Sequence, residues 1–241
     1  MNSIKLGNNP MSFVYQGSEL LYPNPIKDGL LLWYDFKDVS NASPNKEVAR
    51  DLSGNNNNGT LQNFAYTNGS GYIDGLKFDN VDDEVSTNVF LDKSFTLSLT
   101  LDMDFSADVQ FFSAFSASAF YIRRNYNALH CSVYTDKQIS STSGGNLLFY
   151  KMQQNNQNKV VVTMSVDDNT KKLKLYGNDE LLSTVDTVIS IAPVSLIKLG
   201  KWNSGSTNLT GKILSAIAYN RALTDREIQH NYKIEKERWG L

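Results

Sequence analysis

Disulfide chemistry is missing from this 241-residue chain, because its single cysteine, Cys131, has no partner with which to close a bridge. Histidine is nearly as scarce, at two residues, so a zinc site assembled from Cys and His clusters is excluded too. No charge of one sign dominates: 23 Lys+Arg stand against 25 Asp+Glu, a formal net charge of −2. That balance provides no field to gather phosphate backbones or anionic lipid. Basic and aromatic residues do not interleave along one stripe either, so neither a nucleic-acid nor a membrane partner is expected. Long apolar runs are absent. The best candidate, residues 29–34, is strand-sized, well short of the roughly 18 residues that a spanning helix needs. The first residues lack the basic segment and apolar core of a signal peptide, so synthesis and folding in a cytoplasm are expected. Proline occurs only five times, two of them at Pro23 and Pro25.

What is present is enough apolar material for a core, with 41% hydrophobic and 11% aromatic residues, which excludes disorder as the main state. Short apolar runs alternate with Asn, Gly and Asp clusters, the pattern of antiparallel all-β structure. Residues 94–103 alternate cleanly: Phe95, Leu97, Leu99 and Leu101 make one face, and small polar residues the other, which is read as facing solvent with Asp102 on it. Residues 30–36 read as a central strand, 37–59 as a long polar loop, and 60–64, 76–78 and 84–86 as further strands. More strands are expected at 110–115, 119–123, 128–134, 146–152, 159–166, 172–176, 181–187 and 196–200, with a hairpin turning at Gly177-Asn178. Residues 211–219 form a closing strand, apolar enough on both faces to be buried on both. Ser215 shares one face with Ile213 and Ile217, while Leu214, Ala216 and Ala218 fill the other. Only residues 224–238 read as a helix, opened by the capping-box spacing of Thr224 and Glu227 and stopped at Gly240.

Ahead of the main body lies a small echo. Ile4-Lys5-Leu6-Gly7 is followed by Val14-Tyr15-Gln16-Gly17 and Leu20-Leu21-Tyr22, each unit a short strand with a glycine turn. Such units cannot bury a core alone and need a partner surface. Pro23-Asn24-Pro25 then makes a stiff extended connector. The expected division is a β attachment segment at 1–26 and a main domain at 27–241.

Three separated segments of the main body carry a likeness. They are Gly29 to Phe36 followed by Ala49-Arg50-Asp51-Leu52-Ser53-Gly54 and the Asn55–Asn58 run; Leu76-Lys77-Phe78-Asp79-Asn80-Val81-Asp82-Asp83-Glu84-Val85; and Gly211-Lys212-Ile213 with Ala218-Tyr219-Asn220-Arg221-Ala222-Leu223-Thr224-Asp225-Arg226-Glu227-Ile228. In this order the chain resembles the concanavalin A-like, laminin G-like jelly-roll family over about residues 27–235. The resemblance implies an all-β fold, a two-sheet antiparallel jelly-roll sandwich with a short C-terminal helix. The Ile-x-x-Gly and Tyr-x-Gly-x-x-x-x-Tyr units are similar to those of tail and fibre proteins of phages of Gram-positive bacteria. Together these likenesses imply a non-catalytic virion component of a tail, baseplate or fibre, made in the host cytoplasm and present in multiple copies. Its N-terminal segment would dock on other virion proteins, and its lectin-like domain would meet a cell-wall glycan. A purely structural subunit and a glycan-cleaving enzyme on the same fold stay open as rivals.

Candidate site residues follow. A lectin site joins an aromatic platform to amide and charged hydrogen-bonders, which singles out Trp202 with Asn203, and Arg123 with Tyr126. Trp33, Tyr34 and Phe36 read as packing residues instead. Asp79, Asp82 and Asp83 cluster within five positions. They read either as a tight turn or as carboxylates for calcium, which relatives of this fold bind at the sandwich edge, so the cofactor expectation is none or Ca2+. An enzyme is not expected. No Glu-x-Asp-x-x-Glu run pairs two carboxylates for glycoside hydrolysis. No Gly-x-Ser-x-Gly elbow accompanies His130 or His230, and His130 beside Cys131 reads as an ordinary strand histidine.

Overall fold

The computed structural model describes residues 5–7, 9–10, 14–16, 19–22, 24–103, 111–117, 120–125, 128–134, 139–186, 194–200 and 208–241. The strands before the first helix are β1 (Lys5–Leu6), β2 (Asn9–Pro10), β3 (Val14–Gln16), β4 (Glu19–Tyr22), β5 (Leu30–Asp35), β6 (Val48–Ala49), β7 (Gly59–Gln62), β8 (Gly71–Tyr72), β9 (Leu76–Asp79), β10 (Glu84–Leu91), β11 (Phe95–Asp102), β12 (Phe111–Ala117), β13 (Phe120–Asn125), β14 (Ala128–Tyr134) and β15 (Ile139–Gly144). Helix α1 (Asn146–Gln154) precedes β16 (Lys159–Asp167), β17 (Lys172–Gly177), β18 (Glu180–Asp186), β19 (Val194–Leu199) and β20 (Thr210–Tyr219), and helix α2 (Asp225–Trp239) closes the chain.

Every strand pairing among the described residues is antiparallel. One layer runs β18-β17-β16-β11-β20-β9-β8, with β5 also joined to β20. The other is made by β19-β10-β7-β6 and β12-β13-β14-β15, where β12 runs beside β19. The main core lies between the layers: Leu97, Leu99, Leu101, Val162 and Met164 meet Val85, Leu91, Phe120, Ile122, Leu129, Cys131 and Val133. This is the two-sheet antiparallel jelly-roll sandwich with a C-terminal helix. Ahead of it, β1 pairs with β2, and β3 with β4, as two short hairpins.

Three sequence expectations are corrected. Residues 146–152 are the helix α1, so the C-terminal segment is not the only helix. Gly145, in the left-handed region at φ 91, ends β15, and the following Leu-Leu-Phe-Tyr-Lys-Met-Gln-Gln run is composed mostly of helix formers that bury Phe149 and Met152 one turn apart. The loop at 37–59 contains the short strand β6, and β15 forms from Ile-Ser-Ser-Thr-Ser-Gly, which has no apolar alternation to announce it. The polar face of β11 is not solvated: Thr96, Ser98 and Thr100 are buried beneath α2 and its approach loop.

Strand β20 is buried on both faces, as its composition requires, but its faces are divided differently. Thr100 pairs with Ser215 and Leu101 with Ile213, so Leu214 is the extra residue of a bulge. The bulge moves Ile213 into the main core with Ala216 and Ala218, while Ile217 and Tyr219 join Leu30, Trp33, Tyr176, Leu223 and Ile228 in a second core under α2. Strand β5 and Phe36 just beyond it divide in the same way, Leu32, Tyr34 and Phe36 to the first core and Leu30 and Trp33 to the second.

The entry to α2 is built as its sequence indicates. Thr224 accepts the Glu227 N–H, the Glu227 carboxylate accepts the Thr224 N–H at 2.8 Å, and Gly240 ends the helix at φ 66. Arg221 fixes the turn by pairing with Glu227 at 2.7 Å and Asp28 at 2.8 Å. That guanidinium, with the Thr224 N–H assisting, holds the Glu227 carboxyl down at about 2.

Candidate functional site

The acidic turn joins β9 to β10. Asn80 reverses the chain in the left-handed region, at φ 68. Asp79 accepts the Val81 N–H at 2.8 Å, Asp83 accepts the Asp79 N–H at 2.9 Å, and the Ser70 hydroxyl donates to Asp83 at 3.3 Å. One oxygen from each of Asp79, Asp82 and Asp83 lies within 4.8 Å of the others. Asp83 is buried, which pushes its carboxyl up to about 6, the Asp79 charge adding to the rise against the pull of the Asp79 N–H. Asn208, just before β20, donates its amide to the Val81 carbonyl, leaving its buried Oδ1 without a hydrogen-bond partner among the described residues. Thr210 lies across from Asp79 in the ladder, and its buried hydroxyl also lacks a partner among the described residues. Three carboxylates beside two unmatched neutral oxygens fit a hard divalent cation such as calcium in charge and in donor type. The turn's own hydrogen bonds also close it as an Asx-type turn, so both sequence readings fall on the same atoms.

A second feature lies in the stretch that the sequence marks as a long polar loop. The loop after β6 is organised by Asp51, whose Oδ1 accepts the Trp33 N–H at 3.0 Å and the Ser53 N–H at 2.9 Å. Its Oδ2 accepts the Ser53 hydroxyl at 2.7 Å and the Asn57 N–H at 2.8 Å. Asn55 and Asn57 donate their amides to the Leu30 and Leu31 carbonyls, both at 2.8 Å. The Tyr34 hydroxyl donates to the Asn57 carbonyl at 2.7 Å, and burial raises the pKa of that phenol. An asparagine-rich loop is thereby held rigid from beneath.

Between this loop and residues 37–50 lies an open groove of about 930 Å³. Asn45, Arg50, Asn56 and Asn58 supply polar groups, and Tyr72 and Val48 supply apolar walls. Two carboxylates, Asp35 and Asp51, also border it. Both are engaged in hydrogen bonds or an ion pair. Asp51 is committed to the four donors above, while Asp35 accepts the Lys37 N–H at 2.8 Å and pairs with Arg238. The only signal in the sequence was the Asn55–Asn58 run, which reads equally as a turn.

Of the four glycan candidates, Trp202, Asn203 and Tyr126 fall outside the described residues. Arg123 projects from β13 opposite His130. Its guanidinium lies 3.2 Å from His130 Nδ1 and 4.8 Å from the centre of the Tyr121 ring. Burial, then the Arg123 charge, lowers the His130 pKa. Arg123 therefore belongs to a cluster on the β12–β15 sheet, whereas the acidic turn and the groove are built on other strands.

No family model matches the chain, and no curated protein matches it. Solved structures do. The crystal structure of the botulinum neurotoxin serotype D binding domain superposes with a TM-score of 0.62 at 15% identity, covering 87% of this chain and 53% of that one. The receptor binding domain of a botulinum neurotoxin C/D mosaic serotype gives 0.62 at 15% identity, over 86% and 52% of the two chains. A Trypanosoma rangeli sialidase gives 0.59 at 16% identity, over 87% of this chain and 33% of the other. The chain thus spans about half the length of the toxin structures and a third of the sialidase. At such identities the likeness is one of fold: an all-β sandwich that also occurs in a toxin's receptor-binding region and in a sialidase chain.

Proposed function

We propose that this chain is a non-catalytic recognition module, a structural component of a phage tail, baseplate or fibre whose lectin-like sandwich meets a cell-wall glycan of the host. The observation that carries the reading is the groove over the Asp51 loop. It offers amides, a guanidinium and an aromatic wall on a rigid frame, which is what sugar hydroxyls and ring faces require, and its two carboxylates are both consumed in holding the structure. The occurrence of this fold in a toxin's receptor-binding domain and in a sialidase is in keeping with it. One shallow groove binds weakly, and many copies on one particle convert weak contacts into firm attachment. The hairpins before Pro23 would serve as the attachment end, since unpaired strand edges recruit further pairing.

A glycan array probed with the multivalent protein, followed by the Arg50→Ala variant, tests the recognition half. Binding that weakens in the variant is expected, and no binding at high valency defeats the lectin reading in favour of a purely structural subunit. Incubation with purified wall polysaccharide is expected to release no sugar, and released sugar establishes the enzymatic rival. Deleting residues 1–25 is expected to abolish incorporation into particles while the sandwich still folds, and unchanged incorporation contradicts the docking role.

A further inference from the structure

Helix α2 covers a carboxyl group that the recognition reading does not use. Glu235 is 2% exposed and lies against the polar face of the β11–β20 pair. Its Oε2 takes both nearby hydroxyls, Thr100 at 2.6 Å and Ser215 at 2.5 Å. Its Oε1 is buried with no hydrogen-bond partner among the described residues. An ionised carboxylate with one unmatched oxygen is costly in such a place, whereas the neutral acid keeps Oε2 as the shared acceptor. Burial favours the neutral form, while the two hydroxyl bonds and the Arg238 charge pull toward the ionised one without offsetting it. Asp35 on β5 brings a second negative charge, Arg238 on α2 is engaged by Asp35, and Tyr219 on β20 is tied to Asn231. Further along, Lys37 and Lys159 donate to the carbonyls of Arg238 and Trp239, and Lys212 pairs with Asp102. None of these cations is bonded to Glu235.

The same helix holds the connector that leads in from the N-terminal hairpins. The His230 ring nitrogen lies 3.0 Å from the Asn24 carbonyl, and the Ile26 N–H donates to Asn231 Oδ1 at 3.1 Å, next to the buried Pro25. Asn231 in turn donates to the Tyr219 hydroxyl at 2.8 Å, so the clip is anchored on β20 one turn from Glu235. We propose that α2 is a proton-dependent clasp: it closes on the sheet and grips the 24–26 connector with Glu235 neutral, and ionisation of Glu235 loosens both. Burial is the leading cause that raises the Glu235 carboxyl to about 7, with Asp35 adding to it. A folded-state value above the ordinary one means that the stabilisation is complete in acid and is lost as pH rises through neutrality.

The test uses the full-length chain. The 13C resonance of the Glu235 side-chain carboxyl, assigned through bonds in wild type, is followed across the pH range, and amide exchange of residues 24–27 and 225–239 is measured at about pH 5.5 and about pH 8, corrected for intrinsic rates. A midpoint near 7 is expected, with exchange faster by about tenfold at the higher pH, and Glu235→Gln is expected to remove that acceleration. A midpoint in the ordinary carboxylate range, or wild-type protection equal at both pH values, overturns the clasp. Both readings need only wild type, so the outcome stands even if Glu235→Gln fails to fold.

Discussion

Replacing Asp51 tests whether one carboxylate organises the groove. Its two oxygens serve four donors, three backbone N–H groups and the Ser53 hydroxyl. In Asp51→Asn one oxygen remains to accept from Trp33 and Ser53, but the other becomes an NH2 group facing the Asn57 N–H. One hydrogen bond becomes a donor–donor contact, which costs about 1–3 kcal/mol. Asp51→Ala strands all four donors; some reach water in the open groove, so the cost is about 3–5 kcal/mol rather than the full sum. For a domain of this size each kcal/mol lowers Tm by roughly 2–4 °C. Calorimetry should therefore rank wild type above Asn and Asn above Ala, with Ala lower than wild type by roughly 10 °C. Glycan binding should fall already in Asp51→Asn, because the Asn55–Asn58 amides lose their common anchor. If the asparagine variant melts with wild type, or if alanine is no worse than asparagine, the loop is held by something other than this carboxylate and the reasoning fails.

Glu227→Gln removes the charge that pairs with Arg221 while keeping a capping acceptor, and a loss of about 1 kcal/mol is expected at neutral pH, discounted for its partial exposure. Because its folded-state pKa is depressed to about 2, the contribution is present above the ordinary glutamate value and fades as pH falls toward 2. The gap between wild type and variant in a urea titration should close in acid. Calcium addition is expected to raise Tm in wild type and much less in Asp82→Asn, a residue whose carboxylate has no hydrogen-bond partner among the described residues; equal shifts in both would place the ion elsewhere.

The layering was legible because it follows from local alternation. Residues 94–103 announced β11, Gly177-Asn178 announced a hairpin whose turn falls one residue on, at Asn178-Asp179, and Thr224 with Glu227 announced the start of α2, each through a short-range physical rule. What could not be read depended on distant partners. β15 is a strand because β14 offers it a ladder, since its own Ser-Ser-Thr-Ser sequence has no apolar face. The Leu214 bulge is invisible in an apolar run until the register against β11 is known. That Asp51 carries the floor of a groove depends on Trp33 arriving from β5 and on Asn57 folding back from the far end of the same loop. Glu235 sat in the spacing of the Ile228–Tyr232 stripe, so its place on the buried side of α2 was written in the periodicity.

The polar residues of β11 and β20 explain why the helix packs where it does. A sheet face with large side chains would hold α2 at a distance, while Thr96, Ser98, Thr100 and Ser215 are small and let it come close. Closeness buries their hydroxyls, and each buried hydroxyl needs a partner. Ser98 and Thr163 satisfy one another at 2.8 Å, Thr96 donates to the Arg221 carbonyl at 3.0 Å and accepts the Leu223 N–H at 2.9 Å, and Thr100 and Ser215 converge on Glu235. An apolar residue at 235 would leave that pair with only its mutual 2.9 Å bond. The buried acid therefore serves the hydroxyls, the hydroxyls serve the close approach of the helix, and the helix covers Trp33 and Ile217 and clips the connector. Substituting Thr100 and Ser215 together by valine and alanine should consequently release the requirement for an acceptor and make Glu235→Leu tolerable, whereas Glu235→Leu alone should be strongly destabilising. Equal stability of the single and triple variants would show that the acid and the hydroxyls do not depend on one another.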